Sequence, residues 1–339
     1  MNQKRTLFVA ALIVITILSG SFIWFRSRPD AQASPANNDS KSNSTQVNNT
    51  ESTGKVEVVA SFYPLYEFSK QVGGTLVNVT NVTPPGVEPH DFEPSSLQIA
   101  QIQNANVFIF NGGGLDPWAE KIAPELEQKG LKVIEMTSLL KSDLIAATED
   151  DHDHGQDEKS EPHSEFDPHI WLDPVLAQKQ IQQIQQVLAQ VDPKNTSIYQ
   201  DNSKLYAQKL VDLDLEYRRL LSNCSQKTVV SSHNAFSYLA KQYNFEVVSA
   251  SGLSPEVEPS LKDMAKTIEL VKEKKIKYIA FETLVSPKIS QTIAAETGAA
   301  TIILNPIEGL TQEELDGGAN YLSIMQENLN NLRTILECK

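Results

Sequence analysis

Three histidines occupy similar positions in this chain of 339 residues. His90 lies in the segment EPHDFEP, His169 in DPHIWLDP and His233 in SSHNAF. Each precedes an expected helix start, and two of them directly follow a strand-like run. In open α/β sheets, ligands bind where the carboxyl ends of strands meet helix starts. Three imidazoles converging there would form a site for a borderline-soft metal ion, with Zn2+ as the first candidate.

A fourth ligand is needed because zinc sites in proteins are mostly tetrahedral. Glu282 directly follows the apolar run YIAF and precedes a helix start, so it repeats the position of His90 and His233. We therefore expect Glu282 to be the fourth ligand, with Glu88, Asp91 or a water molecule as alternatives. Mn2+ prefers a more oxygen-rich set, so the histidine at position 233 favours zinc.

The elements that must position these residues repeat a β-α pattern, which is typical of parallel sheets. In the first region we expect strands at Val56–Ala60, Leu76–Val82, Val107–Phe110 and Lys132–Glu135. In the second we expect strands at Thr228–Ser231, Phe245–Ser249, Tyr278–Phe281 and Thr301–Leu304. Helices are expected after these strands, starting near Pro64, Pro94 and Pro117, and then near Asn234, Pro259, Pro287 and Gly318.

A strand-free helical stretch separates the two regions. Asp173-Pro174 is expected to cap a helix that runs to about Gln190, and Asp192-Pro193 a second one that runs to about Leu221. The apolar residues of the second helix recur at steps of three, four and seven, which is one face of a long helix. The predicted fold is therefore α/β, with two Rossmann-like lobes of parallel sheet joined by one long backbone helix. The metal site is expected in the cleft between the lobes.

The sequence predicts that the chain divides into five parts. Residues 1–29 are expected to be a membrane-targeting segment, either a signal peptide or a retained anchor, because an apolar run follows Lys4 and Arg5. Residues 30–54 are expected to form a disordered tether. Residues 55–172 form the N-terminal lobe, 173–222 the helical connector and 223–339 the C-terminal lobe. The protein is thus expected to be exported.

Three further features bear on function. The segment 149–165 is rich in acidic residues and histidine, and it is expected to be either a weak secondary zinc collector or a plain solvated loop. Export permits a disulfide between Cys224 and Cys338. The formal net charge of −14, without a basic stripe, argues against a nucleic-acid partner.

Several motifs together resemble a known family. They are SFYPL at 61–65, PHDFEP at 89–94, NGGGL at 111–115, DPHIWLDP at 167–174 and FETL at 281–284. From Val56 onward the chain resembles the zinc-specific solute-binding proteins of ABC transporters, the ZnuA/TroA type. The resemblance implies metal ligands at His90, His169 and His233, and a fourth ligand that varies within the family.

The same resemblance implies a function. The protein is expected to be a monomer that is not an enzyme, and to capture Zn2+ for an inner-membrane ABC permease. No cysteine lies directly after the apolar run, which departs from the Gram-positive lipoprotein pattern. This departure favours the periplasm or the outer face of the cytoplasmic membrane. The alternatives are manganese binding in the same transporter class, a zinc-dependent hydrolase and a surface adhesin.

Overall fold

A computed structural model describes residues 54–147 and 165–339. The expectations for the targeting segment, for nearly all of the tether and for residues 149–164 lie outside the described residues. Both sheets and the connector belong to one compact unit. Across the described parts of the chain, none of the helices combines the length and the apolar character needed to cross a membrane.

The N-terminal lobe is built on a parallel sheet with strand order β2-β1-β3-β4. Its strands are β1 (Val56–Ala60), β2 (Val77–Asn81), β3 (Val107–Phe110) and β4 (Lys132–Glu135). Its helices are α1 (Tyr63–Gly73), α2 (Ser96–Gln103), α3 (Pro117–Gln128) and α4 (Met136–Leu139). The central strand β3 is buried along its whole length, as expected for a sheet covered on both faces.

The connector consists of two long helices, α5 (Pro174–Val191) and α6 (Thr196–Leu220). Asp173 caps α5 as predicted, because its Oδ1 accepts a hydrogen bond from Val175 N at 2.8 Å. The predicted cap of α6 is wrong. A 3-10 turn precedes this helix, and the Asp192 carboxylate accepts hydrogen bonds from the side chains of Asn195 and Tyr199 instead.

The C-terminal lobe repeats the topology of the first, with strand order β6-β5-β7-β8 and all pairs parallel. Its strands are β5 (Thr228–Ser231), β6 (Glu246–Ser249), β7 (Tyr278–Phe281) and β8 (Ala300–Ile303). Its helices are α7 (Ser237–Tyr243), α8 (Leu261–Lys274), α9 (Lys288–Thr297), α10 (Gln312–Asp316) and α11 (Tyr321–Ile335). The predicted fold class is confirmed.

The predicted strands lie within one residue of their observed bounds, and the larger differences are at helix starts. The helix expected at Pro94 begins at Ser96, because the Ser95 hydroxyl and the Gln98 side chain form a reciprocal capping box. The helix expected near Asn234 begins at Ser237. Gly318 lies in the turn before α11, which Asn320 caps.

One hydrophobic core runs through both lobes and the connector. The predicted disulfide between Cys224 and Cys338 is present, and it fastens the residues after α11 to the segment between α6 and β5. It joins positions 114 residues apart in sequence. In the chain-entropy model, a crosslink of this span stabilises the fold by up to about 4–5 kcal/mol.

Candidate metal centre

Four ligand-type side chains converge between the lobes: His90, His169, His233 and Glu308. The Nε2 atoms of His169 and His233 lie 3.4 Å apart. Oε1 of Glu308 lies 3.1 Å from Nε2 of His169, 3.2 Å from Nε2 of His233 and 3.5 Å from Nε2 of His90. Three imidazole nitrogens and one carboxylate oxygen therefore face a common point.

These separations match the coordination geometry of zinc. Zn2+ binds imidazole nitrogen and carboxylate oxygen at about 2.0–2.1 Å, so a regular tetrahedron of such ligands has edges of about 3.3–3.4 Å. The spacings from Glu308 to the three imidazoles, and from His169 to His233, lie within about 0.3 Å of that edge. The two remaining spacings, from His90 to the other two histidines, are at most 4.8 Å, so a shift of His90 would bring all four donor atoms around one tetrahedral ion.

The four residues come from separate elements. His90 lies in the loop between β2 and α2, and His169 directly precedes a 3-10 turn that leads into α5. His233 follows β5 by two residues, and Glu308 lies five residues after β8. The rule that ligands bind at the carboxyl ends of parallel strands, called the strand-end rule below, therefore placed His90 and His233 in the right region. His169, which precedes the connector, joins them.

The cluster is buried and incompletely satisfied. His169 and His233 are fully buried and Glu308 nearly so, and the side chain of His90 is 6% exposed. Nε2 of His90 and Oε2 of Glu308 are buried without a hydrogen-bond partner. Unpaired buried polar atoms cost free energy and call for an explanation such as an ion. A bound cation would satisfy Nε2 of His90.

Glu282 is not part of the cluster, although we expected it to be the fourth ligand. Its Oε2 lies 2.6 Å from Nδ1 of His233, on the opposite side of the ring from Glu308. Its Oε1 accepts hydrogen bonds from the Ser232 hydroxyl and from the His233 amide. Glu282 is the first residue after β7, so its side chain stays level with the strand ends, behind the ring. It orients His233 rather than facing the common point.

Asp167 supports His169 in the same way. Its Oδ1 lies 2.7 Å from Nδ1 of His169 and accepts a hydrogen bond from the His169 amide at 2.9 Å. Carboxylates that hold the remote nitrogen of a metal-binding histidine fix its tautomer and ring orientation. Both fully buried imidazoles therefore present Nε2 to the cluster with a carboxylate behind them.

The electrostatics of the imidazoles follow from these partners. Burial, together with the charges of His169 and His233, outweighs Glu308 and lowers the pKa of His90. Burial also opposes the charged form of His169, but Asp167 and Glu308 outweigh it and raise the pKa of that imidazole. For His233, Glu282 and Glu308 outweigh burial and hold the pKa well above its usual value.

The pKa values of two acidic residues near the cluster are shifted in opposite directions. Burial opposes ionisation of Glu308, but the three imidazoles, above all His233, hold the pKa of Glu308 well below its usual range. Burial, followed by the charge of Glu308, raises the pKa of Glu88 to about 10. Glu88 accepts a hydrogen bond from the His90 amide, and Asp91 is exposed. The alternatives Glu88 and Asp91 are therefore not members of the cluster either.

Glu308 is the member that the sequence analysis missed. It follows the predicted strand Thr301–Leu304 within a few residues, so the strand-end rule applied to Glu282 also covers it. The rule did not separate two carboxylates that follow neighbouring strands. The longer loop after β8 carries Glu308 over to the Nε2 side of the histidines.

A glycine-rich turn after β3 braces the segment that carries His169. The Asn111 side chain donates a hydrogen bond to the Pro168 carbonyl at 2.9 Å. Asp116 accepts from the amides of Asn111 and Gly112 at 2.9 and 2.7 Å, and burial raises the pKa of its carboxyl to about 6. Gly112 has a φ of 76°, and a Cβ there would lie 2.5 Å from the Glu135 side chain. Glycine is therefore required for this close packing.

The chain is similar to known zinc-binding proteins. Residues 58–335 match the family described as zinc-uptake complex component A, periplasmic. The chain is 40% identical over 287 residues to the zinc-binding lipoprotein AdcA of Streptococcus pneumoniae strain R6, covering 84% of this chain and 57% of that relative. It is 40% identical over 298 residues to the high-affinity zinc uptake system protein ZnuA of Bacillus subtilis, covering 88% of this chain and 93% of that relative.

Solved structures show the same fold. The chain matches the crystal structure of Zn(II)-bound AdcA from S. pneumoniae with a TM-score of 0.71 and 38% identity, covering 84% of this chain and 58% of that one. It matches the separate Zn(II)-bound ZnuA-like domain of that protein with a TM-score of 0.69 and 38% identity, covering 84% of this chain and all of the domain. The resemblance found in the motifs is confirmed, and the chain belongs to the zinc-uptake complex component A family.

Proposed function

We propose that this protein binds one Zn2+ ion between its lobes through His90, His169, His233 and Glu308, and that the ion is its cargo. The observation that carries the proposal is the convergence of four donor atoms within 4.8 Å of one another, with four of their six spacings between 3.1 and 3.5 Å, close to the edges of a zinc tetrahedron. The names of the pneumococcal and Bacillus relatives, a zinc-binding lipoprotein and a zinc uptake protein, support the choice of metal.

The donor set favours zinc over manganese. Three imidazoles suit borderline-soft zinc, whereas Mn2+ prefers carboxylate, carbonyl and water oxygens in octahedral geometry. Only one carboxylate belongs to the cluster formed by the described residues. Glu282, which would add a second carboxylate, is already bonded to the remote nitrogen of His233.

The arrangement supports capture rather than catalysis. A zinc hydrolase keeps three protein ligands and leaves the fourth position open for a water nucleophile. Here four protein side chains supply the donors of a closed tetrahedral shell. Glu282 does not fit the role of a general base, because both of its oxygens are engaged by His233 and Ser232.

Delivery to an ABC permease outside the cytoplasm completes the proposal. The matched family is described as a periplasmic component of a zinc-uptake complex, and a binding protein of such a complex needs a membrane partner that receives the ion. We infer that the protein acts as a monomer, since both lobes of a single chain supply the ligands.

Competition titration of the metal-free protein against a zinc chelator tests the proposal. We expect one tight site per chain, together with a zinc-edge X-ray absorption spectrum of four nitrogen and oxygen ligands that include imidazole. Tighter binding of Mn2+ than of Zn2+, or a six-coordinate oxygen-rich shell around zinc, would refute it.

A further inference from the structure

The loop that presents Glu308 contains an unusual backbone conformation. Ile307, directly before Glu308, has a φ of 57°. This left-handed region is unfavourable for a β-branched residue, which makes Ile307 an outlier. Such strained conformations persist only where the surroundings hold them, and they cluster at ligand-binding sites. The loop is therefore held by specific contacts.

Two buried asparagines supply the main constraint. Asn328, on α11, accepts a hydrogen bond from the Asn305 amide at 2.8 Å and donates one to the Asn305 carbonyl at 2.7 Å. The Asn305 side chain in turn accepts a hydrogen bond from the Ile307 amide at 2.8 Å. Asn305 and Asn328 are 3% and 1% exposed, so water cannot replace these bonds.

The other lobe holds the same loop from the opposite side. Nε1 of Trp171 donates a hydrogen bond to the Pro306 carbonyl at 2.7 Å. Trp171 lies two residues after His169, and their rings pack with centroids 5.2 Å apart. The segment 305–307 is thus fixed between α11 and the residues that carry His169.

We propose that Asn328 is a positioning residue for the fourth zinc ligand, acting through Asn305 and the strained Ile307 to fix the Glu308 carboxylate at Nε2 of the histidines. The inference rests on the proposed function, because it takes Glu308 to be a ligand. Asn328 itself contacts neither the histidines nor Glu308 in any described hydrogen bond. Its contribution to zinc affinity must therefore pass through the loop.

A double-mutant cycle with Glu308 tests this coupling. Residues that support metal ligands typically contribute about 10–100-fold to affinity, and we expect Asn328→Ala to weaken zinc binding by about tenfold. In the Glu308→Ala background, the same substitution should change affinity by less than about twofold, because the ligand it positions is gone. An equal loss in both backgrounds would show general loosening and overturn the proposal.

Asn331→Ala is the matched control. Asn331 lies one turn further along α11, and its side chain donates a hydrogen bond to the Ile303 carbonyl, at the end of β8 rather than in the loop. We expect zinc affinity within about twofold of the parent, even where thermal unfolding of the metal-free protein shows lost stability. Equal zinc losses for Asn331→Ala and Asn328→Ala would also overturn the proposal.

Two further measurements keep the test decisive. If Asn328→Ala does not fold, Asn305→Ala breaks the same chain of bonds at its middle link, and the same non-additivity with Glu308→Ala is expected. The Glu308→Ala variant alone separates the two proposals. Unchanged zinc affinity in that variant would refute Glu308 as a ligand, whereas a loss there without a loss in Asn328→Ala would refute only the positioning role.

Discussion

The N-terminal and C-terminal lobes have the same strand order but use their strand ends differently. In the C-terminal lobe, the neighbouring strands β5, β7 and β8 are followed by His233, Glu282 and Glu308, all at the cluster or directly behind it. In the N-terminal lobe, the corresponding ends of β3 and β4 are followed by Asn111 and Thr137. The Thr137 hydroxyl donates a hydrogen bond to the Asn111 carbonyl, and the Asn111 side chain donates one to the Pro168 carbonyl. The C-terminal lobe presents proposed ligands after β5 and β8, whereas the N-terminal lobe uses the ends of β3 and β4 to brace the segment that carries His169.

This difference shows what topology alone determines. The edge of a parallel sheet at the carboxyl ends of its strands is where a site forms, whichever lobe is considered. Whether a polar residue there becomes a ligand or a brace depends on the loop that follows. His90 lies in the long loop after β2 of the N-terminal lobe, and it is the least buried of the four proposed ligands.

Removing one histidine from each lobe should give the largest effects. We expect His233→Ala and His90→Ala each to weaken zinc binding by more than about 100-fold, above the range of supporting residues. The loss should be greater for His233, because its removal also leaves the buried Glu282 carboxylate without its imidazole partner. Chelator competition measures both affinities. Equal losses of zinc affinity in the two variants would mean that the two lobes do not differ in this way. Zinc binding as tight as in the parent protein would show that the substituted histidine is not a ligand.

The two carboxylates behind the rings offer a matched pair across the lobes. Asp167→Ala and Glu282→Ala should each weaken zinc binding by about 10–100-fold, because the imidazole loses its fixed tautomer and orientation. Zinc-edge absorption should still report three imidazoles and one carboxylate in both variants. Loss of the carboxylate signal from the Glu282→Ala variant would restore Glu282 as the fourth ligand.

Substitution of Gly112, in the turn after β3, tests whether this turn braces the segment that carries His169. Gly112→Ala forces alanine into a left-handed conformation, costing about 1–2 kcal/mol, and crowds the Glu135 side chain, adding about 1–3 kcal/mol. Gly130→Ala is the control, since Gly130 also has a positive φ but has no atom within 4 Å of the added Cβ. Denaturant unfolding should show the larger destabilisation for Gly112→Ala. Equal losses for the two variants would mean that the turn is not a tightly packed brace.

The smallest effect is expected from deleting residues 150–164. The described residues on either side pair with each other, since Ala146 and Phe166 form an antiparallel bridge and the Ala147 amide donates to the Glu165 carbonyl. A short linker can therefore close the gap without disturbing His169. Zinc titration should still show one tight site, and its loss would mean that this segment supplies a ligand.

Much of this architecture could be predicted from the sequence, for physical reasons. Short Val/Ile-rich runs separated by helix caps mark strands with sharp ends, and β1, β3, β4, β5 and β7 have their predicted bounds. The three histidines were predictable because they share one position relative to strands and helix starts. The choice between Glu282 and Glu308 was not, because it depends on the path of the loop after β8. That path is set by Asn305 and Ile307 together with Asn328, which is 23 residues away from Asn305 in sequence.

Helix α11 has a consequence for biosynthesis. It carries Asn328, which holds the Glu308 loop, and Tyr321, whose hydroxyl donates to the Trp171 carbonyl at 2.6 Å near His169. Ribosomes make proteins from the amino end, so these braces emerge after every proposed ligand has been synthesised. A nascent chain that stops before Tyr321 would contain all four donors and still lack the scaffold that aligns them. Under the proposed function, tight zinc capture is therefore a late event in the maturation of this polypeptide.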